Sequence, residues 1–433
     1  MKPINYILSL ASVCVLFACG NEDTPDNILP PAIEPDATLS LLVNTGEKAQ
    51  LKSLTKAGEV LSVDDNRIAR LTVAVFNAGA YEGHPAGALE AIKTQTATSG
   101  ESISKVEEIE VKSGLVKVLI LANISEDLLG EFTTVAADGA KYSTIDDFVG
   151  NDAEITELAN ETNVTASSEL YDITAMRGKI NCLGYTNAEV KAITGGVSVS
   201  PSALGEKAVP LYRNVSRVLL NKITFAPKEQ YIDASLKIEG IYVANVKSQS
   251  YLASKTPGRG SVEVADKTDK DFYWCGAFAG ANDIGALKDG EAKEAANLFY
   301  APEVTLNSNT DELAGEGNDP IGRPFYIYQN QTGKNHTLLI VYGTFKYKAD
   351  KNDTEYQTQQ SFYTVIVNEP GKGSFESDSE KHDYVTRNFN YNIELTITGS
   401  GSTKPYDKAI SSNLSALVKV LPWNVKIIHE DVE

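Results

Sequence analysis

The chain has 433 residues, of which 42% are hydrophobic and 22% are charged, so it is neither collagen-like nor wholly disordered. This length predicts two or three domains. The 58 acidic residues outnumber the 39 Lys and Arg residues, and the resulting formal net charge of −19 disfavours binding to nucleic acid or to an anionic membrane surface. Both kinds of binding depend on clustered positive charge.

Residues 1–18 are typical of an export signal. Lys2 supplies a positive charge, and the apolar run over residues 4–18 is too short to cross a membrane as a helix. The run ends in Leu-Phe-Ala-Cys-Gly, which is similar to a bacterial lipobox, so Cys19 is the predicted lipidation site. Ordinary signal cleavage, with Cys19 unmodified, is the alternative. Residues 19–36 are polar, rich in proline and acidic, which predicts a solvated tether.

The first strand of the mature chain is predicted over residues 37–43. Leu39, Leu41 and Val43 alternate with other residues and therefore share one face, which is the pattern of a half-buried strand. A turn-forming Asn-Thr-Gly follows the strand, and the polar segment over residues 47–56 contains three lysines.

Further strands are predicted in two blocks with few helices between them. The first block has predicted strands over residues 71–76 and 115–124, and short helices over residues 126–132, 144–149 and 188–193. In the second block, β-branched and aromatic residues predict strands over residues 215–225, 234–246, 324–329, 337–347, 362–368, 391–398 and 414–420. This order indicates an all-β fold of sandwiches or Greek-key sheets. A strand-poor stretch before Val209 predicts an N-terminal domain over residues 57–208 and a C-terminal domain over residues 209–433.

Two cysteines remain after the signal and the lipidation site. Cys182 and Cys275 are 93 positions apart and have no motif spacing. They are predicted to be two buried free thiols. A disulfide between them is the alternative, because an exported protein meets an oxidising environment.

The sequence contains no motif typical of an enzyme. It lacks P-loop, dinucleotide-binding, zinc-protease and serine-hydrolase motifs, and its 4 His residues are scattered. No catalytic residue, metal ligand or cofactor is therefore predicted.

Two sets of residues are candidate ligand sites. The first set misses the spacing of an EF-hand and is interpreted as a solvated loop: Asp350, Asp353 and Glu355. The second set is interpreted as cross-strand pairs, with a sugar-stacking platform as the alternative: Tyr326, Tyr328, Tyr342 and Tyr347.

Three local patterns resemble the fimbrillins, which are pilus subunits exported as lipoproteins by Bacteroides-type bacteria. The first is the lipobox followed by a strand, a lysine-rich loop and RLTVAVFN over residues 70–77. The second is Ser-Gly leading into the apolar strand that ends at Asn123. The third is RNFNYNIELTITG over residues 387–399, followed by a strand that ends in VLPW. The resemblance implies two transthyretin-like Greek-key β-sandwich domains, no catalytic activity and no cofactor.

The resemblance also implies assembly by strand exchange. In such subunits a trypsin-like protease removes the first strand, and a strand from another subunit fills the open groove by β-augmentation. Here residues 37–56 would be the removable strand with its cleavage loop, and Leu39, Leu41 and Val43 would be displaced.

Cleavage is predicted after Lys56, which makes Ala57 the mature N-terminus. The family typically cuts after Arg, so Lys56 implies a protease that tolerates lysine. The fallback cleavage sites are Lys52, Arg67 and Arg70.

The donor strand is predicted in the C-terminal segment, over about residues 414–428. The side chains expected to enter the groove share one face, and Trp423 follows them: Leu414, Ala416, Val418 and Val420. Pro422 has no N–H and predicts a break in pairing. An ordinary last strand of its own domain is the alternative.

With a removable strand and a donor strand, the chain is predicted to be a stalk subunit of a cell-surface fimbria that supports adhesion. Its precursor would be held at the outer membrane by lipid. The predicted partners are other copies of itself, accessory fimbrial subunits, the processing protease and receptors on host or bacterial surfaces. The alternatives are a fimbrial anchor or tip subunit, a lipid-anchored protein that binds glycan or protein, and an enzyme whose site assembles only in the fold.

Overall fold

Strands make up most of the secondary structure. The computed structural model describes residues 34–43, 51–54, 60–63, 67–81, 84–98, 101–135, 142–150, 152–154, 164–254, 256, 260–265, 272–276, 283–284, 287–288, 293–294, 296–307, 311–314, 321–406 and 413–422. The strands of the first half are β1 (Ala37–Leu42), β2 (Leu51–Leu54), β3 (Val60–Val63), β4 (Arg70–Asn77), β5 (Leu89–Thr96), β6 (Lys105–Val111), β7 (Gly114–Ala122), β8 (Asp152–Glu154), β9 (Ala166–Ser167), β10 (Tyr171–Ala175), β11 (Ile180–Leu183), β12 (Gly196–Ser198) and β13 (Tyr212–Arg213).

The strands of the second half are β14 (Val215–Phe225), β15 (Ile232–Ala244), β16 (Val246–Lys247), β17 (Gln249–Tyr251), β18 (Tyr273–Cys275), β19 (Asp283–Ile284), β20 (Leu287–Lys288), β21 (Lys293–Glu294), β22 (Phe299–Tyr300), β23 (Val304–Asn307), β24 (Asp311–Ala314), β25 (Phe325–Tyr328), β26 (Leu338–Lys348), β27 (Gln357–Ile366), β28 (Gly373–Phe375), β29 (Phe389–Ile397) and β30 (Leu414–Pro422). The helices of the described part are α1 (Glu126–Gly130), α2 (Ile145–Gly150), α3 (Asn187–Ala192) and two 3-10 turns over Ala296–Leu298 and Asp378–Glu380.

The all-β prediction is confirmed, and the short helices α1 to α3 lie where the sequence predicted them. Their first turns are capped by side chains. The Ser125 hydroxyl accepts from the backbone N–H of Leu128 in α1, and Thr186 and Glu189 form a reciprocal capping box at the start of α3. The Greek-key connectivity stays a prediction.

The first half of the chain is a sandwich of two sheets. One sheet has the strand order β12-β11-β1-β6, and the other has the main order β13-β9-β7-β4-β5, with β10 paired to β7. Apolar residues from β1, β6 and β11 pack against apolar residues from β4, β7 and β10 to form one core. The first strand therefore lies in the interior of its sheet.

The second half repeats this layering with longer strands. One sheet has the order β24-β14-β29-β30-β28 with β25 also on β14, and the other has the order β22-β15-β26-β27 with β23 also on β15. The alternating burial of β29 is complete over its nine residues, which matches its alternating sequence. Residues of both sheets form the largest core of the described structure.

Buried polar contacts join the two sandwiches. Arg387, which is 0% exposed, donates from Nη1 to the hydroxyl of Ser167 at 3.2 Å and to Asn214 Oδ1 at 3.4 Å. Residues 33–433 form one compact unit. The first core reaches Leu211, a few residues past the boundary expected at Val209, and independent folding of the two parts stays a prediction.

Cys182 and Cys275 are free and buried, as predicted. Cys182 packs in a small cluster beside the first sandwich, and Cys275 packs in a separate cluster on the second. Burial raises the pKa of the Cys182 thiol, which makes it a poor nucleophile.

In the part of the chain that the structure describes, no helix is long and apolar enough to cross a membrane. The predicted signal over residues 1–18 and the predicted lipidation site Cys19 lie outside the described residues, as does the tether up to residue 33.

Candidate functional site

The first strand is surrounded on three sides by the rest of the sandwich. It pairs in parallel with β11, where Leu41 lies opposite Leu183, and antiparallel with β6, where Leu39 lies opposite Ile109. Leu39 and Leu41 are 0% exposed and Val43 is 2% exposed. The period-two face predicted from the sequence is therefore the face that enters the core.

Removing this strand would open a deep apolar groove between β11 and β6. The groove walls include Val106 and Ile109 of β6, and its floor includes Val73 and Val118 of the opposite sheet. Three fully buried Leu and Val side chains contribute about 5–9 kcal/mol relative to exposure. The strand is thus a large part of what stabilises this sandwich.

The C-terminal end of β1 is held by backbone contacts. The N–H of Val43 donates to the carbonyl of Ser104 at 2.7 Å, and the N–H of Val209 donates to the carbonyl of Leu42 at 2.9 Å. Gly184 has a φ of +83°, and a Cβ atom there would lie 2.5 Å from the Leu42 carbonyl oxygen. Only glycine permits this close passage of the first strand.

The N-terminal end of β1 is held by a carboxylate. Asp36 Oδ1 accepts from the backbone N–H of Ser113 at 2.6 Å, and Asp36 Oδ2 accepts from the Ser113 hydroxyl at 2.8 Å. Arg177 Nε lies 3.4 Å from Oδ2. The Ser113 N–H and hydroxyl, with smaller effects of Lys112 and Arg177, lower the pKa of the Asp36 carboxyl. The sequence alone predicts Asp36 to lie in the tether, because its partner Ser113 is 77 positions away and gives no local signal.

The predicted cleavage site lies between two short strands. β2 and β3 pair antiparallel, with Leu54 opposite Val60, and Lys56 and Ala57 fall in the connecting residues 55–59, which lie outside the described residues. In the sequence, the predicted cleavage residues therefore fall between two paired strands, and cleavage itself stays a prediction.

The fallback cleavage sites differ in their surroundings. Lys52 lies in β2, opposite Ser62. Arg67 donates from Nε to the Glu101 carbonyl at 3.1 Å. Arg70 begins β4, donates to the carbonyl of Ile124 and pairs with Glu126, so its backbone is held in a sheet where a protease has poor access.

The predicted donor strand is β30, and it occupies a place in its own domain. It pairs antiparallel with β29 along its length and in parallel with β28 at Val418 and Val420. Val418 is 3% exposed and Val420 is 0% exposed, Leu414 is partly buried, and Ala416 is exposed. Half of the predicted donor face is therefore buried in its own sandwich. Trp423 lies outside the described residues.

The structure does not bring the candidate ligand residues together into a site. Tyr326 and Tyr328 are buried in β25, whereas Tyr342 and Tyr347 lie in β26 of the other sheet, so they do not form one platform. The three acidic residues near Asp350 lie at the exposed turn between β26 and β27, where Asp350 and Asp353 accept hydrogen bonds from nearby backbone. Within the described ranges, no group of three or more His, Cys, Asp or Glu is placed to hold a metal ion.

Comparison with known families identifies both halves of the chain. The family model for the major fimbrial subunit protein FimA matches residues 37–202, and the model for the FimA4 pilin C-terminal domain matches residues 285–423. The first match begins at β1 and the second ends just after β30, so together they contain both strands considered above.

Whole-chain relatives agree with these matches. The major fimbrium subunits FimA type-2 and type-4 of Porphyromonas gingivalis are each 24% identical to this chain, and each alignment covers 98% of both sequences. Among solved structures, a cell adhesion protein from Parabacteroides distasonis is 27% identical with a TM-score of 0.66, covering 90% of this chain and 100% of the other. A fimbrilin of Porphyromonas gingivalis W83 has a TM-score of 0.59 at 19% identity, covering 92% of this chain and 99% of the other.

Proposed function

The chain belongs to the family of FimA fimbrial subunits, and on that premise we propose that it polymerises by exchanging its first strand for a strand of another copy. It is a structural subunit of a cell-surface fimbria, from a family of structural rather than catalytic proteins, and it assembles with other fimbrial subunits.

The observation that carries the proposal is the position of β1. β1 is an interior strand with three buried side chains, so its loss would leave two unpaired strand edges and an apolar groove that another strand can fill. Cleavage in the β2–β3 connection, after Lys56, would leave β1 attached by noncovalent contacts alone. A strand from another copy could then fill the same place and restore the same pairing.

The C-terminal segment is the proposed replacement. It alternates apolar residues as β1 does, and β30 already pairs with one parallel and one antiparallel neighbour, the same arrangement that the groove offers. Leaving its own sheet would expose Val418 and Val420, and in the groove the segment would replace Leu39, Leu41 and Val43 of β1, so burial alone does not drive the exchange. Loss of the covalent link to β1 would favour the exchange.

The remaining roles follow from this scheme. A trypsin-like protease that accepts lysine would act on Lys56, and lipid on Cys19 would hold the precursor at the outer membrane. A chain that has both a removable strand and a donor strand would be a stalk subunit, which contacts one copy through its groove and the next through its tail. An anchor subunit would keep its lipidated end, and a tip subunit would need only the groove. Receptors on other cells would be the adhesion partners.

The test uses a matched pair of substitutions in β30. Ala416 and Ser415 are both exposed in the folded subunit, but only Ala416 shares the face of Val418 and Val420. We expect Ala416→Asp to leave the subunit folded and to abolish filaments after protease treatment, because the charge would be buried in the groove of the partner. Ser415→Asp is the control and should polymerise.

Filaments are counted by negative-stain electron microscopy of the full-length protein, before and after treatment with trypsin. Filaments from wild type and Ser415→Asp, with none from Ala416→Asp, support the proposal. Equal polymerisation of both variants would refute the donor role of β30. No filaments from treated wild type would refute assembly by this route.

A further inference from the structure

At the start of β1, the Asp36 carboxylate makes side-chain contacts with Ser113 in addition to the backbone pairing of the strand. Both carboxylate oxygens of Asp36 are engaged by Ser113, one by its backbone N–H and one by its hydroxyl, and the Asp36 side chain is 20% exposed. Hydrogen bonds to an ionised carboxylate are stronger than neutral ones. The Arg177 side chain is 82% exposed, so Ser113 supplies most of the recognition.

The backbone of Asp36 is held on both sides as well. Its N–H donates to the carbonyl of Val111 at 3.2 Å, and its carbonyl accepts from the N–H of Gly178 at 2.8 Å. Two residues later, the Asn181 amide donates to the carbonyl of Thr38 at 3.0 Å. These contacts fix the register, so that the carboxylate reaches Ser113 when Leu39 and Leu41 fill the core.

The proposed replacement strand has no counterpart of this carboxylate. Residues 411–422 contain no Asp or Glu. A strand from that segment could match the apolar positions of the groove, but it would leave the Ser113 N–H and hydroxyl without an anionic acceptor.

We infer that Ser113, assisted by Arg177, is a carboxylate-recognition site that favours the chain's own first strand over the replacing strand. This inference rests on the proposed strand exchange. The site retains β1 in the groove after the chain has been cut, so that cleavage alone does not open the subunit. The groove is exposed only when a replacing strand has displaced β1, which limits aggregation of cleaved monomers.

The experiment measures release of the cut strand. The recognition sequence of a specific protease is introduced into the full-length chain within residues 44–50. After cutting, release of the N-terminal fragment is followed by size-exclusion chromatography and mass spectrometry. The variants are Asp36→Asn and Ser113→Ala. The control is Glu34→Gln, which removes the same charge at an exposed position two residues earlier.

We expect Asp36→Asn to release the fragment about tenfold to a hundredfold faster than the wild type, as the loss of hydrogen bonds to a charged group predicts. Glu34→Gln should match the wild type. Ser113→Ala should accelerate release, and it should add little when combined with Asp36→Asn, because both changes remove the same contact. Ser113→Ala removes the hydroxyl contact and keeps the backbone N–H contact to Asp36. It is therefore the milder change, and it tests the site if Asp36→Asn does not fold.

A synthetic peptide of residues 411–422 is then added to each cut protein. Faster entry into Asp36→Asn than into the wild type supports the inference. Equal release from all variants, or equal acceleration by Glu34→Gln, would overturn it while leaving strand exchange intact. Failure of the cut wild type to polymerise after its fragment has left would instead count against the proposed function, and the release rates would still decide the role of Ser113.

Discussion

Replacing Leu39 with alanine should weaken the uncut subunit and yet hasten its assembly. Leu39 is 0% exposed in the core of the first sandwich, and truncating a buried leucine to alanine costs about 2–5 kcal/mol. If β1 is absent from the polymer, this loss applies only to the precursor. The matched change is Leu183→Ala in β11, also 0% exposed, which removes an equal side chain from the wall of the groove.

The two variants should therefore behave alike in the unfolding of the uncut subunit and differently in its assembly into filaments. Thermal unfolding of the uncut proteins should show a similar loss for each, on the order of 5–10 °C. After cleavage, Leu39→Ala should form filaments faster than the wild type, whereas Leu183→Ala should form them more slowly and give filaments that dissociate at lower denaturant concentration. Slower assembly of Leu39→Ala, or filaments destabilised by it as much as by Leu183→Ala, would refute the reasoning because β1 would then be part of the polymer.

Three further predictions concern lipidation, proteolytic processing and the carboxylate at the start of β1. Labelling with palmitate should mark the wild-type precursor and not Cys19→Ala, and equal labelling would remove the lipid anchor from the account. N-terminal sequencing of protein from filaments should begin at Ala57, whereas a sequence beginning at Cys19 would indicate an anchor subunit. Since the folded pKa of Asp36 is lowered, its hold on β1 should be complete above its unfolded pKa of about 3.9 and be lost as the pH falls through the folded value. Release of β1 from the cut chain should therefore accelerate below about pH 4 in the wild type and stay independent of pH from 3 to 6 in Asp36→Asn, with Lys112 and Arg177 charged throughout.

Local sequence patterns were enough to find β1, β4 and β7 in the first sandwich and the long strands of the second, whereas β6, β10 and β11, which also line the first core, were not predicted. Leu39, Leu41 and Val43 alternate cleanly, and the structure buries all three. The same holds for β29, where every second residue is buried. A strand with one buried face shows period-two alternation whatever its partners are, so the pattern can be read without the fold.

The polar edge strands were missed for a physical reason. β6 reads KVEEIEV, and its positive φ at Glu108 interrupts the alternation at an irregularity in its pairing with β1. The Lys93 ammonium of β5 donates to the carbonyls of Glu107 and Glu108, which ties the two edge strands together. Charged residues that protect sheet edges weaken the apolar signal from which strands are predicted.

Contacts between residues far apart in the chain could not be predicted from the sequence either. The alternation in β30 identifies a face, but it does not tell whether that face packs against the opposite sheet of the same chain or enters another copy. Val418 shows the difference, since its burial depends on packing across a sandwich built from residues far away in the chain. The Asp36–Ser113 contact likewise appears only when β1 and the turn before β7 are brought together.

Electron cryomicroscopy of filaments formed by the protease-treated wild-type protein tests the central claim most directly. The density between β11 and β6 identifies the strand that fills the groove. The account predicts side chains from within residues 414–428 of a neighbouring subunit, joined by continuous density to its C-terminal sandwich. Density for residues 37–43 of the same subunit in that position would contradict strand exchange.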